Sequence, residues 1–244
     1  MIRLVRADNP GPMTLDGTNS YLLGVERPIV VDPGPVAPGH LAALAAYGTP
    51  RLILLTHHHL DHSASAPVLA ERWRCPVRAL DPALCIAAEP LRDGETVVAD
   101  GVEVEVVAAP GHTADSISLL MGDRLLTGDT VLGRGTTVIA APDGDLGAYF
   151  ASLDRLIGLV AARGVARLLP GHGPEIVDPA DRLRAYRRHR LERLAQVRAA
   201  VAAGADTVDD IVTLVYAGID AAVLPAAHQA VAAQLRYLRS IPPG

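Results

Sequence analysis

Thr56-His57-His58-His59-Leu60-Asp61-His62 places four groups able to bind a metal, His57, His59, Asp61 and His62, within six positions. Imidazole nitrogen and carboxylate oxygen are donors that divalent metals take from proteins, and this density of them points to a metal site. Leu52, Ile53, Leu54 and Leu55 run up to the stretch, which predicts a buried strand that stops at Thr56 and hands its ligands to a loop. The alanine- and serine-rich segment Ser63 to Trp73 predicts a helix directly afterwards. Ligands between a strand end and a helix stand on a rigid frame at the mouth of a cleft, a usual place for a catalytic metal. The run is internal and carries an aspartate in register, unlike the uniform terminal runs of histidine tags.

Three later positions repeat the arrangement singly. Pro110-Gly111-His112-Thr113 and Pro170-Gly171-His172-Gly173 each put a histidine behind a Pro-Gly turn, and Thr127-Gly128-Asp129-Thr130 puts an aspartate after the apolar pair Leu125-Leu126. Alone, each is a turn. In this order, H-x-H-x-D-H followed by His, Asp and His at strand-end turns resembles the metallo-β-lactamase superfamily of binuclear metallohydrolases, over about three quarters of the chain. The likeness extends upstream to Val30-Val31-Asp32-Pro33-Gly34, a strand and turn whose aspartate supports the metal loop in that family. The opening from Asn9 to Leu22, with Asp16-Gly17-Thr18-Asn19-Ser20, is similar to a narrower branch of lactamase-β-like proteins that includes a mitochondrial endoribonuclease and some thioester hydrolases.

The resemblance implies a four-layered αβ/βα sandwich with the metals at one edge between its sheets. It assigns His57, His59 and His112 to one metal, Asp61, His62 and His172 to the other, and Asp129 to the bridge, with Asp32 outside the ligand set. Two zinc ions suit these donors, with manganese, iron or cobalt as alternatives. Two metals about 3.5–4 Å apart can share a hydroxide, so the expected reaction is attack of that hydroxide on an ester, lactone or thioester carbonyl. Asp61, both ligand and proton acceptor, is the candidate to orient the water. His58 is expected to point away from the metals. His59 stands where the oxygen-reducing di-iron branch has a glutamate, and Asp129 supplies a bridge that zinc β-lactamases generally lack.

The 244 residues are half apolar, enough for one large core and a small appendage, and the net charge of −5 does not attract polyanions. All 22 basic residues are arginines. Cys75 and Cys85 match neither a metal pair nor a disulfide framework and are expected to be free thiols. Met1 to Asp8 is too short and charged for a secretory signal, and no apolar stretch reaches ~20 residues, so a cytoplasmic chain without membrane spans is expected.

Strands are predicted at Ser20 to Leu23, Pro28 to Val31, Arg51 to Leu55, Val102 to Ala108, Ser116 to Leu120, Arg124 to Leu126 and Arg167 to Leu169. Helices are predicted at Gly39 to Tyr47, Ser63 to Trp73 and Leu146 to Arg163. The texture changes at Asp178-Pro179, a helix start, which suggests a catalytic domain over 1–178 and a helical extension over 179–244. By resemblance the extension is winged-helix-like; it departs from the branch at Leu194, where a glutamate is usual. Asp181 to Arg198 holds Arg182, Arg184, Arg187, Arg188, Arg190, Arg193 and Arg198. It reads as an amphipathic helix with Leu183, Tyr186, Leu191 and Leu194 as its buried stripe, or as a phosphate-binding face. A small-molecule substrate is therefore expected, with single-stranded RNA as the alternative and a non-catalytic metal- or partner-binding protein as the third reading. Eight aromatic residues leave few platforms for base stacking.

Overall fold

A computed structural model describes residues 1–241. Its first sheet holds β1 (Ile2–Arg6), β2 (Asn19–Leu23), β3 (Ile29–Val31), β4 (Leu52–Leu54) and β5 (Val77–Arg78), side by side in that order. The second holds β10 (Arg167–Pro170), β9 (Arg124–Gly128), β8 (Ile117–Met121), β7 (Val102–Ala108) and β6 (Thr96–Ala99). The first two pairings of the first sheet are antiparallel and the last two parallel, while in the second sheet only β9 and β10 run parallel.

Strands β2, β3 and β4 are buried at every residue, so β3 and β4 read as unbroken apolar runs rather than alternating ones, while β2 opens on Asn19-Ser20, whose side chains donate to Pro170 O, Gly173 O and Asp32 O. One face meets the other sheet: Tyr21, Leu23, Val31 and Leu54 pack against Val104, Val106, Leu119 and Leu126. The other face of the first sheet, with Leu22, Val30 and Ile53, is covered by α1 (Pro38–Ala45) and α3 (Ala66–Trp73) through Leu44, Leu69 and Trp73. The other face of the second sheet, with Val107, Leu120 and Leu125, is covered by α4 (Leu146–Arg163) and by the start of α5 (Pro179–Ala202) through Tyr149, Leu153, Leu183 and Tyr186. The result is helix, sheet, sheet, helix, the four-layered sandwich.

Two readings need correction. The helix expected from Ser63 is a short α2 (Leu60–Ser63) and a separate α3, with Ser65 between them. Pro67 in the first turn of α3 cannot continue a helix from upstream, and the Ser65 hydroxyl donates to Pro33 O instead. In α5, Leu191 is 43% exposed and Arg190 occupies the inward position, so the buried stripe is Leu183, Tyr186, Arg190, Leu194 and Val197. Spacing puts residue 190 on the inner face, and the arginine is accommodated because Thr137 O accepts from its guanidinium.

Beyond Pro170 every regular element among the described residues is helical: α5, α6 (Val208–Val215), a 3-10 turn and α7 (Leu224–Ser240), with no strand pair that would form a wing. The sandwich core crosses the expected boundary at 178, since Leu183, Tyr186 and Ala233 belong to the apolar cluster of β7 to β9. A separate cluster, with Val197, Ile211, Val212 and Val231, joins the far half of α5 to α6 and α7. No described helix is long and apolar enough to cross a membrane, and both cysteines are free.

Candidate metal centre

The ends of β3, β4, β9 and β10 and the β7–β8 turn open on one edge of the sandwich, and each delivers a polar side chain there. Asp32 follows β3, the run 57–62 follows β4, His112 lies between β7 and β8, Asp129 follows β9 and His172 follows β10.

Donor atoms of these residues converge in three overlapping groups that could hold a metal ion: His57, His59 and His112; His57, His62 and Asp129; Asp61, His62 and His172. Within each group they lie within 4.8 Å of one another. His59 Nδ1 is 3.1 Å from His57 Nε2 and 3.0 Å from His112 Nε2. On the other side His62 Nε2 and His172 Nε2 are 3.2 Å apart, and Asp61 Oδ2 is 3.1 Å from the latter. Asp129 lies between the two sets, with Oδ1 3.4 Å from His62 Nε2 and Oδ2 3.3 Å from His172 Nε2 and 3.9 Å from His112 Nε2.

Hydrogen bonds behind the rings fix their protons. The Thr56 hydroxyl donates to Asp32 Oδ2 at 2.7 Å, leaving its lone pairs to accept His57 Nδ1–H at 3.0 Å. His62 Nδ1–H donates to Asp32 Oδ2 at 2.9 Å, His112 Nδ1–H to Val138 O at 2.7 Å, and His172 Nδ1–H to Gly17 O at 3.2 Å. Each of these four rings therefore turns its Nε2 inward, the atom a metal would take on displacing any proton held there. The donors fit a metal on a second count: Asp129 Oδ1 is buried without a hydrogen bond, 3.4 Å from His62 Nε2, and a metal ion there would supply the partner it lacks.

The electrostatics of the side chains themselves divide the cluster. Burial, reinforced by neighbouring imidazoles, holds His57 well below the usual histidine range and pushes His59 down to about 4. Burial also opposes charge on His62 and His172, but Asp129 with Asp32 or Asp61 outweighs it, raising the first well above its ordinary value and the second to about 9. Burial works against the Asp129 carboxylate too, and His62 and His172 overcome it, holding the group well below the ordinary range.

A sequence model of the metallo-beta-lactamase superfamily matches residues 13–172. A beta-lactamase-like protein 2 homolog of Caenorhabditis elegans is 34% identical over 205 residues, which are 78% of this chain and 67% of the relative. The chain belongs to the metallo-beta-lactamase superfamily. An atrochrysone carboxyl ACP thioesterase of Aspergillus chevalieri is 32% identical over 235 residues, 88% of this chain and 73% of the relative. A solved metallo-beta-lactamase family protein from Thermus thermophilus superposes with a TM-score of 0.83 at 23% identity, over 98% of this chain and 93% of the other, and so shares its fold. The protein is a hydrolase with the metallo-beta-lactamase fold.

All eight residues singled out in the sequence meet at this edge of the metallo-beta-lactamase fold: His57, His59, Asp61, His62, His112, Asp129 and His172 at the point of convergence, and Asp32 behind them. His58 turns outward, its Nδ1 2.9 Å from Asp115 Oδ1. Sequence reasoning missed Thr56, whose position between Asp32 and His57 follows from the parallel pairing of β3 with β4. It missed Gly171 as well: a Cβ there would collide with Asp129 Oδ1 and stand 2.7 Å from His62 Cε1.

Proposed function

We propose that this hydrolase is a binuclear metal-dependent enzyme that cleaves an ester, lactone or thioester at its acyl carbonyl. The observation that carries the reading is the convergence of donors from both sheets around the buried Asp129, one of whose oxygens has no hydrogen-bond partner. His57, His59 and His112 would hold one ion and Asp61, His62 and His172 the other, with Asp129 reaching both. The donor set favours zinc, with manganese or iron as alternatives. When bound, such ions supply Lewis acidity and lower the pKa of water toward neutrality.

The remaining work falls to the chain. Asp32, Thr56 and the carbonyls of Gly17 and Val138 keep four imidazole protons on the outward nitrogens. Asp61 is the more open of the two central carboxylates, its side chain 29% exposed against 9% for Asp129. This exposure supports Asp61 as the residue that would orient an incoming water and accept its proton. The name of the Aspergillus relative supports an acyl thioester as the substrate class.

The arginines of α5 argue for a small molecule over RNA. Arg182 and Arg190 donate to carbonyls of Leu132, Gly135 and Thr137, Arg193 donates to Val215 O, and Arg184 and Arg187 pair with Asp181 and Asp154. These five of the seven arginines are engaged in separate contacts, which speaks against a continuous stripe along which a phosphate backbone could track.

The test is elemental analysis of the purified protein together with turnover of an acyl thioester and a fluorescent single-stranded RNA. About two metals per chain and thioester cleavage lost on chelation are expected. RNA cleavage under the same control would move the assignment to a nuclease, and a metal-free protein with full turnover would overturn both.

A further inference from the structure

A cleft of about 300 Å³ lies beside the metal ligands, between α5, α7, the segment 136–138 and the loop at Pro12 and Met13. It shares Pro12, Met13 and residues 136–138 with a smaller cavity of about 140 Å³ that His112 and Asp129 line. Its charged lining is one-signed: Arg190 and Arg193 face it from α5, His189 beside them is held below the usual histidine range by burial and by these two guanidiniums, and no Asp or Glu is among its described lining residues.

Arg190 is the informative member. It is 7% exposed, donates to Thr137 O, and holds its guanidinium 5.5 Å over the Tyr149 ring. Its buried Nε has no hydrogen-bond partner, and no described carboxylate forms an ion pair with it. Guanidinium stays protonated in proteins, so a buried one with a donor to spare is costly until an anion meets it. Arg193, half-buried over the Tyr216 ring, adds a second cation. The opposite wall is apolar, formed by Ile219, Val223, Ala227 and Ala230.

We propose that this cleft recognises an anionic group, carboxylate or phosphate, carried on an apolar skeleton whose acyl end reaches the metal ligands. The second half of that statement rests on the acyl-hydrolase reading above. Thr137 links the two places: its carbonyl accepts from Arg190 and its hydroxyl is 3.2 Å from His112 Nδ1. Arg190 and Arg193 are thus specificity-determining residues that hold the far end of the substrate, and neutral acyl compounds of the same length bind less well.

Calorimetric titration of the metal-loaded protein with octanol, octanoate and octyl phosphate tests this. At least one anion should bind about tenfold more tightly than octanol, consistent with a charge-assisted hydrogen bond, and the stronger of the two identifies the head group. Arg193→Gln should remove most of that preference, and Arg193→Lys should keep part of it. Arg190→Gln should act in the same direction, while Arg193, being half-exposed, keeps the test open if the first variant does not fold. Asp129→Ala should retain the preference. Equal binding of all three probes, or a preference lost in Asp129→Ala and untouched in Arg193→Gln, would overturn the proposal. Turnover of two octanoyl-length thioesters, one neutral and one bearing a terminal carboxylate, reports separately on the acyl reading: turnover without anion preference sinks the cleft alone, and anion preference with neither thioester turned over sinks the acyl chemistry alone.

Discussion

Asp32 stands behind the converging donors, yet its contacts decide how two of them are turned. One oxygen accepts from the Thr56 amide at 2.7 Å, the other from the Thr56 hydroxyl and His62 Nδ1–H. The residue holds φ of +50°, a left-handed conformation that aspartate tolerates better than most, as the sharp turn into Pro33 requires. Asp32→Asn would present an NH2 either to the Thr56 amide or to the Thr56 hydroxyl and His62 Nδ1–H, and turnover should fall about 10- to 100-fold with the melting temperature much less affected. Gly171→Ala touches no ligand by substitution, but its methyl would occupy the space of Asp129 Oδ1. Its metal content by elemental analysis should fall well below wild type while far-ultraviolet circular dichroism is unchanged. The converging donors were legible in the sequence because each sits where an apolar run gives way to a turn. Thr56 was not, because its role exists only once β3 and β4 pair and bring Asp32 across to it.

Among the elements, buried strands announced themselves and marginal ones did not. β1 has a single buried residue, Val5, so its pattern carries little signal. β6 alternates buried and exposed, but Val97 faces in and Val98 out, so hydrophobicity does not alternate with burial. β5 is two residues long. Helix α4 was legible throughout, from the Asp145 cap that accepts from Ala148 N at 2.7 Å to the left-handed Gly164 at its end. Asp145→Ala should cost about 1 kcal/mol, read as a shift in a denaturant midpoint at constant slope. In α5 the period was legible but its occupant at 190 was not: only the packed segment 136–138 offers the carbonyl that lets an arginine face inward.

At the scale of the molecule, the family and layer order could be read from the order of the histidine and aspartate motifs, whereas the cleft could not, because it is assembled from residues between 12 and 230. The centre draws on both sheets, with His57 to His62 from the first and His112, Asp129 and His172 from the second. Bound metal should therefore stabilise the whole fold. An ion present at ~100 times its Kd adds about 3 kcal/mol, so chelation should lower the Tm by several degrees in differential scanning calorimetry. The same division has a consequence for the backbone itself. One sheet is built from residues before β6 and the other from β6 onward, and they meet across a continuous apolar layer and a shared ring of donors. Each segment is thus a half-receptor for the other. If the chain is cut between β5 and β6, the two pieces should travel together as a tight heterodimer in gel filtration, and a chelator should weaken their hold on each other.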